Sequence, residues 1–309
     1  MMTYQLVEIL SVNHSQYKGK KVPVDFLNIT NQGVEGDFSL SSPNSWVCLL
    51  DQSQISLYKD ITKDKNLAYG EFGEHITVKG LQYVRAQVFD RFVSDNVVLE
   101  VVRKGTKIPE KYREPSDLLV PGAGIFCRVL KSGTLKAGES FEYIPKIYTA
   151  KIISLSDRAA RGEYEDLSGV EIKHILEQFF DKKRKLFSID SVLIPDSSEQ
   201  LGKEIWSSID ENDDLIITTG GTGIGKRDIT VKTILPLLDK KIPGIMEMIR
   251  LKYGMENPNA LLSTGVAGVK NNSLIYTLPG SVGAVREYMA EILKTLEHAY
   301  YMLHGIDVH

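Results

Sequence analysis

Along the first half of the chain, apolar residues come in short runs broken by turns: "VPVDFLNI", "WVCLL", "HITVKGLQY", "VVLEVV", "GIFCRVL" and "FEYI". Runs of four to eight residues rich in β-branched and aromatic side chains predict strands. Only "QSQISLYKDI" reads as a clear helix, so the stretch from Thr3 to about Ile144 is expected to be a mostly β barrel or sandwich. From Tyr148 the rhythm changes. The apolar runs "AKIISLS", "FSIDSVLI", "DLIITT" and "SLIYTL" alternate with helix-length amphipathic patterns: "GVEIKHILEQFF", "EQLGKEIWSSI" and "GAVREYMAEILKTLEHAYYML". Strands and helices alternating at this interval predict a mostly parallel sheet covered by helices on both faces. The change of rhythm falls in "YIPKIY", where Pro145 interrupts, and it divides the chain into 1–146 and 147–309.

A chain of 309 residues suits two such domains. With 42% hydrophobic and 25% charged residues, the composition is that of a water-soluble globular protein. A net charge of −3 argues against nucleic acid as the main partner. No apolar run reaches the roughly 20 residues of a membrane helix. The opening "MMTYQLVEILSVNHS" lacks the basic start and apolar stretch of a signal peptide, so a cytoplasmic location is expected. Cys48 and Cys127 sit in apolar runs, outside any metal-ligand or disulfide pattern, and are expected to be buried.

Chemistry concentrates in "TTGGTGIGKRD", Thr218 to Asp228, directly after the apolar "DLIIT". Glycines leaving a buried strand let backbone N–H groups approach an anion, and phosphate is the expected one. The loop departs from the P-loop pattern, because Arg227 stands where a metal-binding hydroxyl belongs, and Lys226 replaces the third glycine of a dinucleotide fingerprint. In an open α/β sheet, ligands bind beyond the carboxyl ends of the strands. That rule brings "SDRAARGEYEDLSG" (Ser156 to Gly169), "PDSSEQ" (Pro195 to Gln200), the glycine loop and "LPGS" (Leu278 to Ser281) to one rim as a composite phosphate and metal site. Asp196 and Asp228 have a competing reading as helix N-caps, as does Ser281. Lys226 and Arg227 either neutralise phosphate or lie solvated, and Glu163, Glu165 and Asp166 read as a solvated face.

Taken together, "SLSDRAARGEYEDLSG", "IPD", "TTGGTGIGKRDIT", "IPGIMEMIR", "LLSTGVAGVKNNSLIYTLPGS" and "HAYYMLHG" resemble, in order over residues 148 to 305, the molybdopterin adenylyltransferase family, the MogA/MoaB-like proteins and the gephyrin G domain. The resemblance implies a three-layer α/β fold, a homotrimer, and magnesium- and ATP-dependent transfer of AMP to the terminal phosphate of molybdopterin, the form into which molybdate or tungstate is later inserted. It implies that Asp196 and Asp228 are the catalytic and metal-binding carboxylates. Thr218, Thr219, Gly220, Gly221, Thr222, Gly223, Arg227, Gly280 and Ser281 would bind the pterin substrate, and Ser156, Asp157, Ser168 and Gly169 would line the nucleotide side. Molybdenum-insertion and other cofactor-biosynthesis proteins are the implied partners. The alternative on the same fold is a non-catalytic pterin carrier; a P-loop GTPase is contradicted by Arg227.

In the first half, "GVEGD", "LLDQSQI", "GEFGEHITVKG" and "GIFCRVLKSGTLKAGE" resemble a MOSC domain, a β-rich module associated with molybdenum cofactor and sulfur chemistry. The cysteine that family commonly carries is missing from Val101 to Tyr112, which argues against a persulfide role. Glu35, Asp37, Glu71, Glu74 and His75 gather around glycines, with His75 read as structural. Arg103, Lys104, Lys107 and Lys111 form a basic run suited to a pterin phosphate.

Overall fold

The protein is described by a computed structural model covering residues 5–41, 46–63, 66–81, 85–105 and 124–306. It comprises two compact units, Met1–Lys146 and Ile147–His309. Of the basic run, Lys107 and Lys111 lie outside the described residues.

In the first unit the strands are β1 (Gln5–His14), β2 (Val22–Val24), β3 (Leu27–Thr30), β4 (Gly33–Val34), β5 (Val47–Asp51), β6 (Ile76–Lys79), β7 (Arg91–Val93), β8 (Val98–Lys104), β9 (Gly124–Lys131), β10 (Gly133–Leu135) and β11 (Ser140–Ile144), with helix α1 at Gln52–Thr62. Seven of them close a barrel in the order β1-β11-β7-β8-β9-β5-β6 and back to β1, while β2 extends β1 and β10-β3-β4 form a small separate sheet. Every barrel pairing is antiparallel except β5 with β6. A parallel pair needs a crossover, and α1, capped by the Asp51 carboxylate on Ser53 N–H, lies in that connection. Val7, Ile9, Val47, Leu49, Phe92, Leu99, Cys127 and Phe141 fill the interior.

The longest strand of this unit, β1, escapes the periodicity argument. Its pairing with β6 shifts register between Ile9 and Ser11. A bulge of this kind reverses which side chains face inward, so Val7 and Ile9 are buried and then Ser11, Val12 and Asn13 follow in one run. The expected single run "VPVDFLNI" is likewise two strands, β2 and β3.

Beside the barrel core lies a buried polar cluster. Lys21 Nζ donates to both carboxylate oxygens of Asp37 at 2.6 and 2.7 Å. His75 Nδ1 accepts from the Cys48 backbone N–H at 3.0 Å, which leaves the proton on Nε2, 3.3 Å from Asp37 Oδ1 and 3.1 Å from Ser39 Oγ. Burial lowers the His75 pKa, outweighing the carboxylate beside it, so the ring is neutral at pH 7 and its role structural. Glu74 accepts from Gly70 and Phe72 N–H and from Thr77 Oγ1. Glu35 and Glu71 stand apart, paired with Asn28 and Lys20.

The second unit contains β12 (Ile147–Leu155), α2 (Asp157–Ala160), α3 (Leu167–Lys182), β13 (Leu186–Ile194), α4 (Ser198–Asp210), β14 (Leu215–Thr219), α5 (Thr230–Ile234), β15 (Lys240–Lys241), α6 (Pro243–Gly254), β16 (Ala267–Lys270), β17 (Ser273–Leu278) and α7 (Val282–Leu303). Its sheet runs β13-β12-β14-β17-β16-β15. The first four strands are mutually parallel, and β16 and β15 turn back antiparallel at one edge. Ile153, Leu155, Ile216 and Ile275 pack on one face under Leu201, Ile205 and Ile209 of α4 and Ile234 of α5. Alternate residues, among them Ile152, Ile217 and Tyr276, face the other way; α3 and α7 pack together and against that sheet. No helix among the described residues is long and apolar enough to cross a membrane.

Burial alone would raise the Asp37 pKa, but hydrogen bonds from His75 and Lys21 hold it well below the usual carboxylate range. A depressed folded pKa contributes stability that is complete above the ordinary value of 3.8 and fades as pH falls below it. Asp37→Ala leaves the Lys21 ammonium buried without its partner, and is expected to destabilise the barrel by about 3–5 kcal/mol. In urea unfolding of the two proteins, that difference should shrink when the pH is lowered from 7 towards 3.

Candidate active site at the carboxyl rim of the parallel sheet

Because β12, β13, β14 and β17 are parallel, their carboxyl ends, Leu155, Ile194, Thr219 and Leu278, share one rim. The loops that follow them enclose an open cleft of about 610 Å3. Of the residues singled out in the sequence, Ser156, Asp157, Ser168, Asp196, Gly221, Arg227, Asp228 and Gly280 line it.

Backbone geometry explains the glycines. Gly220 has φ +98° and Gly221 φ +63°, both in the left-handed region. A Cβ on Gly220 would stand 2.4 Å from the Leu155 carbonyl oxygen, and one on Gly221 2.5 Å from Thr230 Oγ1. The turn is tied at both ends: Gly220 N–H donates to Leu278 O at 3.0 Å, and Thr230 Oγ1 donates to Gly220 O at 2.8 Å. Gly280 approaches the same spot, its Cβ position only 3.4 Å from Gly220 Cα. Further along, the Asp228 carboxylate tucks under the loop and accepts from Gly225 N–H at 2.7 Å. A Cβ on Gly223 or Gly225 would meet that carboxylate within 3 Å.

The threonines behave differently from the sequence expectation. Thr218 and Thr219 are fully buried rather than facing a ligand. Thr219 Oγ1 donates to Pro279 O at 2.9 Å, locking the tip of β14 to that of β17. Thr222 is also buried, its carbonyl accepting from Thr264 N–H at 2.8 Å. Gly220 and Gly223 shape the turn without lining the cleft. Gly169 is buried at the start of α3, with no room for a Cβ between Asp166 and Ser154.

Capping separates structural from available side chains. Ser197, not Asp196, caps α4, accepting from Gln200 N–H at 3.3 Å. No side chain caps α5, which starts after Ile229. Neither Asp196 nor Asp228 therefore serves as a helix cap, whereas Ser281 does cap α7, accepting from Ala284 N–H. Asp166, read as solvated, caps α3 through Gly169 N–H at 2.9 Å and holds Ser168 Oγ at 2.9 Å. The signal was present in the sequence, since Asp three residues before a glycine at the head of an amphipathic run is a cap pattern.

Five acidic residues, Asp157, Glu165, Asp166, Asp196 and Asp228, line the cleft. Asp157 Oδ1 accepts from the Asp196 backbone N–H at 3.0 Å, joining the tips of β12 and β13. The Asp196 pKa is raised, first by burial and then by the charge of Asp157, with Asp228 adding to the effect; Arg227 and a backbone N–H pull the other way. Lys226 and Arg227 line the cleft from exposed positions, and neither forms a salt bridge among the described residues. Ser154, Tyr164 and Leu167, which the sequence did not single out, complete the wall near α2 and α3.

A model of the probable molybdopterin binding domain family matches residues 151–298. The molybdopterin adenylyltransferase of Helicobacter pylori is 33% identical over 155 residues, covering 50% of this chain and 86% of that protein. Molybdenum cofactor biosynthesis protein B of Staphylococcus aureus is 39% identical over 121 residues, 36% of this chain and 72% of that one. Gephyrin of Dictyostelium discoideum is 37% identical over 156 residues, 48% of this chain but 21% of gephyrin. With a rim of glycine turns and converging carboxylates inside the matched residues, the chain belongs to the molybdopterin adenylyltransferase family.

Proposed function

We propose that the second unit transfers AMP from ATP to the terminal phosphate of molybdopterin, and that the barrel, as a MOSC-like module, binds or passes on the product. A phosphate oxygen of molybdopterin attacks the α-phosphorus of ATP, the bond from that phosphorus to the bridging oxygen breaks, and pyrophosphate leaves. The observation that carries the reading is the meeting of Asp157, Asp196 and Asp228 with Lys226 and Arg227 in one cleft, with neither Asp196 nor Asp228 spent on a helix cap.

Two polyanions must be brought together, so positioning and charge neutralisation carry most of the catalysis. Lys226 and Arg227 offset phosphate charge, and Arg227 suits a bidentate contact. Gly221 and Gly280 bring backbone close to the ligand without a side chain in the way. Among the described residues no three acidic, histidine or cysteine side chains converge as a metal cage. Magnesium that keeps waters and substrate phosphates around it needs only one or two carboxylates, and Asp196 and Asp228 would hold it. When bound it supplies Lewis-acid neutralisation of the phosphates. The homotrimer and the cytoplasmic location belong to the same proposal.

For the barrel, the thiols argue for binding rather than sulfur chemistry. Burial pushes the Cys127 thiol well above its usual range, and Cys48, part of whose surface remains accessible, is pushed up to about 12 by burial and the Glu74 charge. Neither supplies much thiolate at neutral pH.

Purified protein given molybdopterin and MgATP is expected to release pyrophosphate and form adenylylated molybdopterin. Asp196→Ala and Asp228→Ala should each cost at least about a hundredfold in rate, a loss of about 2.7 kcal/mol in transition-state stabilisation. Chelation of magnesium should stop the reaction, and added magnesium restore it. Tight molybdopterin binding with no product would leave a carrier instead.

A raised folded pKa means that the ionised Asp196 is penalised in the native state, so stability is lost as pH rises from 3.8 through the folded value. Asp196→Asn should therefore raise the melting temperature at pH 7, with the gain disappearing near pH 3, while activity falls.

A further inference from the structure

Among the described residues, Tyr164 is the single aromatic side chain lining the cleft, and its setting differs from that of a surface tyrosine. It lies in the loop between α2 and α3 and stays 48% exposed. Its hydroxyl is nevertheless fixed at 2.7 Å from Ser156 Oγ, the same oxygen that accepts from Ala159 N–H to cap α2. The Arg158 guanidinium carbon stands 5.2 Å from the ring centroid. An exposed ring held at its tip and beside a guanidinium has already lost much of the freedom that ligand binding would otherwise remove.

The cleft is also chemically divided. Lys226, Arg227 and the glycine backbone come from the loops after β14 and β17, whereas Arg158 of α2 and Tyr164 come from the segment after β12, with Glu165, Asp166 and the apolar Leu167 beside them. Aromatic rings and guanidinium planes both stack on planar heterocycles. We propose that Tyr164, supported by Arg158, is the platform on which the planar heteroaromatic ring of a substrate stacks, and so a specificity residue distinct from the phosphate-binding groups. The proposal rests on the adenylyltransferase reading, in which two substrates carry such a ring, the purine of ATP and the pterin.

The test is equilibrium binding to the full-length protein of three probes with magnesium: ATP, molybdopterin and inorganic tripolyphosphate, which has phosphates but no ring. Tyr164→Ala is expected to weaken ATP or molybdopterin at least tenfold and leave tripolyphosphate within twofold, and the ligand affected identifies the ring. Tyr164→Phe, which keeps the ring and loses the hydroxyl, should stay within threefold of wild type. In turnover, Tyr164→Ala should raise KM for that substrate with kcat within threefold. Unchanged binding of both ring ligands by Tyr164→Ala overturns the platform, as does an equal loss in Tyr164→Phe, which would make the residue a loop pin. A parallel loss of tripolyphosphate overturns it too. Ring binding that depends on Tyr164 without adenylylated product would overturn the catalytic reading and leave the platform standing, whereas binding of neither ring ligand by the wild type would overturn both.

Discussion

The close approach of three strand tips, β12, β14 and β17, is the constraint on which the rest of the second unit depends. Gly220 is pressed against the Leu155 carbonyl on one side, at a distance that excludes a side chain, and lies in van der Waals contact range of Gly280 on the other. Parallel pairing fixes the tips side by side, and the left-handed turn at Gly220 and Gly221 then directs the chain out of the sheet. The loop that carries Lys226, Arg227 and Asp228 leaves from that turn, which is why its position relative to Asp157 and Asp196 is set by the sheet.

The two units use charge in opposite ways. In the barrel, Lys21, Asp37 and His75 satisfy one another, with backbone donors from Ser15 and Ser39 completing the carboxylate. A cluster so fully paired contributes to a unique fold and leaves little to offer a ligand. At the rim of the sheet, the charges of Asp157 and Asp228 both disfavour the ionised Asp196, and Lys226 and Arg227 beside them are exposed. A chain that holds like charges together accepts a loss of stability that an incoming cation can relieve, which is the pattern expected of a functional site.

Much of this was legible in the residues themselves. Alternation of apolar runs with amphipathic helices predicts the parallel sheet, and the rule that ligands bind beyond its carboxyl ends brings Asp157, Asp196, Gly221, Asp228 and Gly280 to one rim. Where a local pattern has two physical solutions, the residues alone leave both open. Aspartate ahead of a helix reads as a cap, yet at Asp196 the cap is the next residue, Ser197. Threonines beside glycines read as ligand donors, yet Thr218 and Thr219 lie inside. Strand β1 was hidden because its bulge breaks the period of two.

The sequence by itself determined the elements, the glycine turn and the residue types gathered at the rim, because these follow from periodicity, φ preference and strand direction, all local properties. Only the tertiary structure decided which oxygens face the cleft and which are spent on caps and strand ties, and that Tyr164 shares a wall with Asp157. Those outcomes depend on contacts between segments far apart in the chain, such as Thr219 with Pro279 and Asp157 with Asp196, which no local pattern encodes.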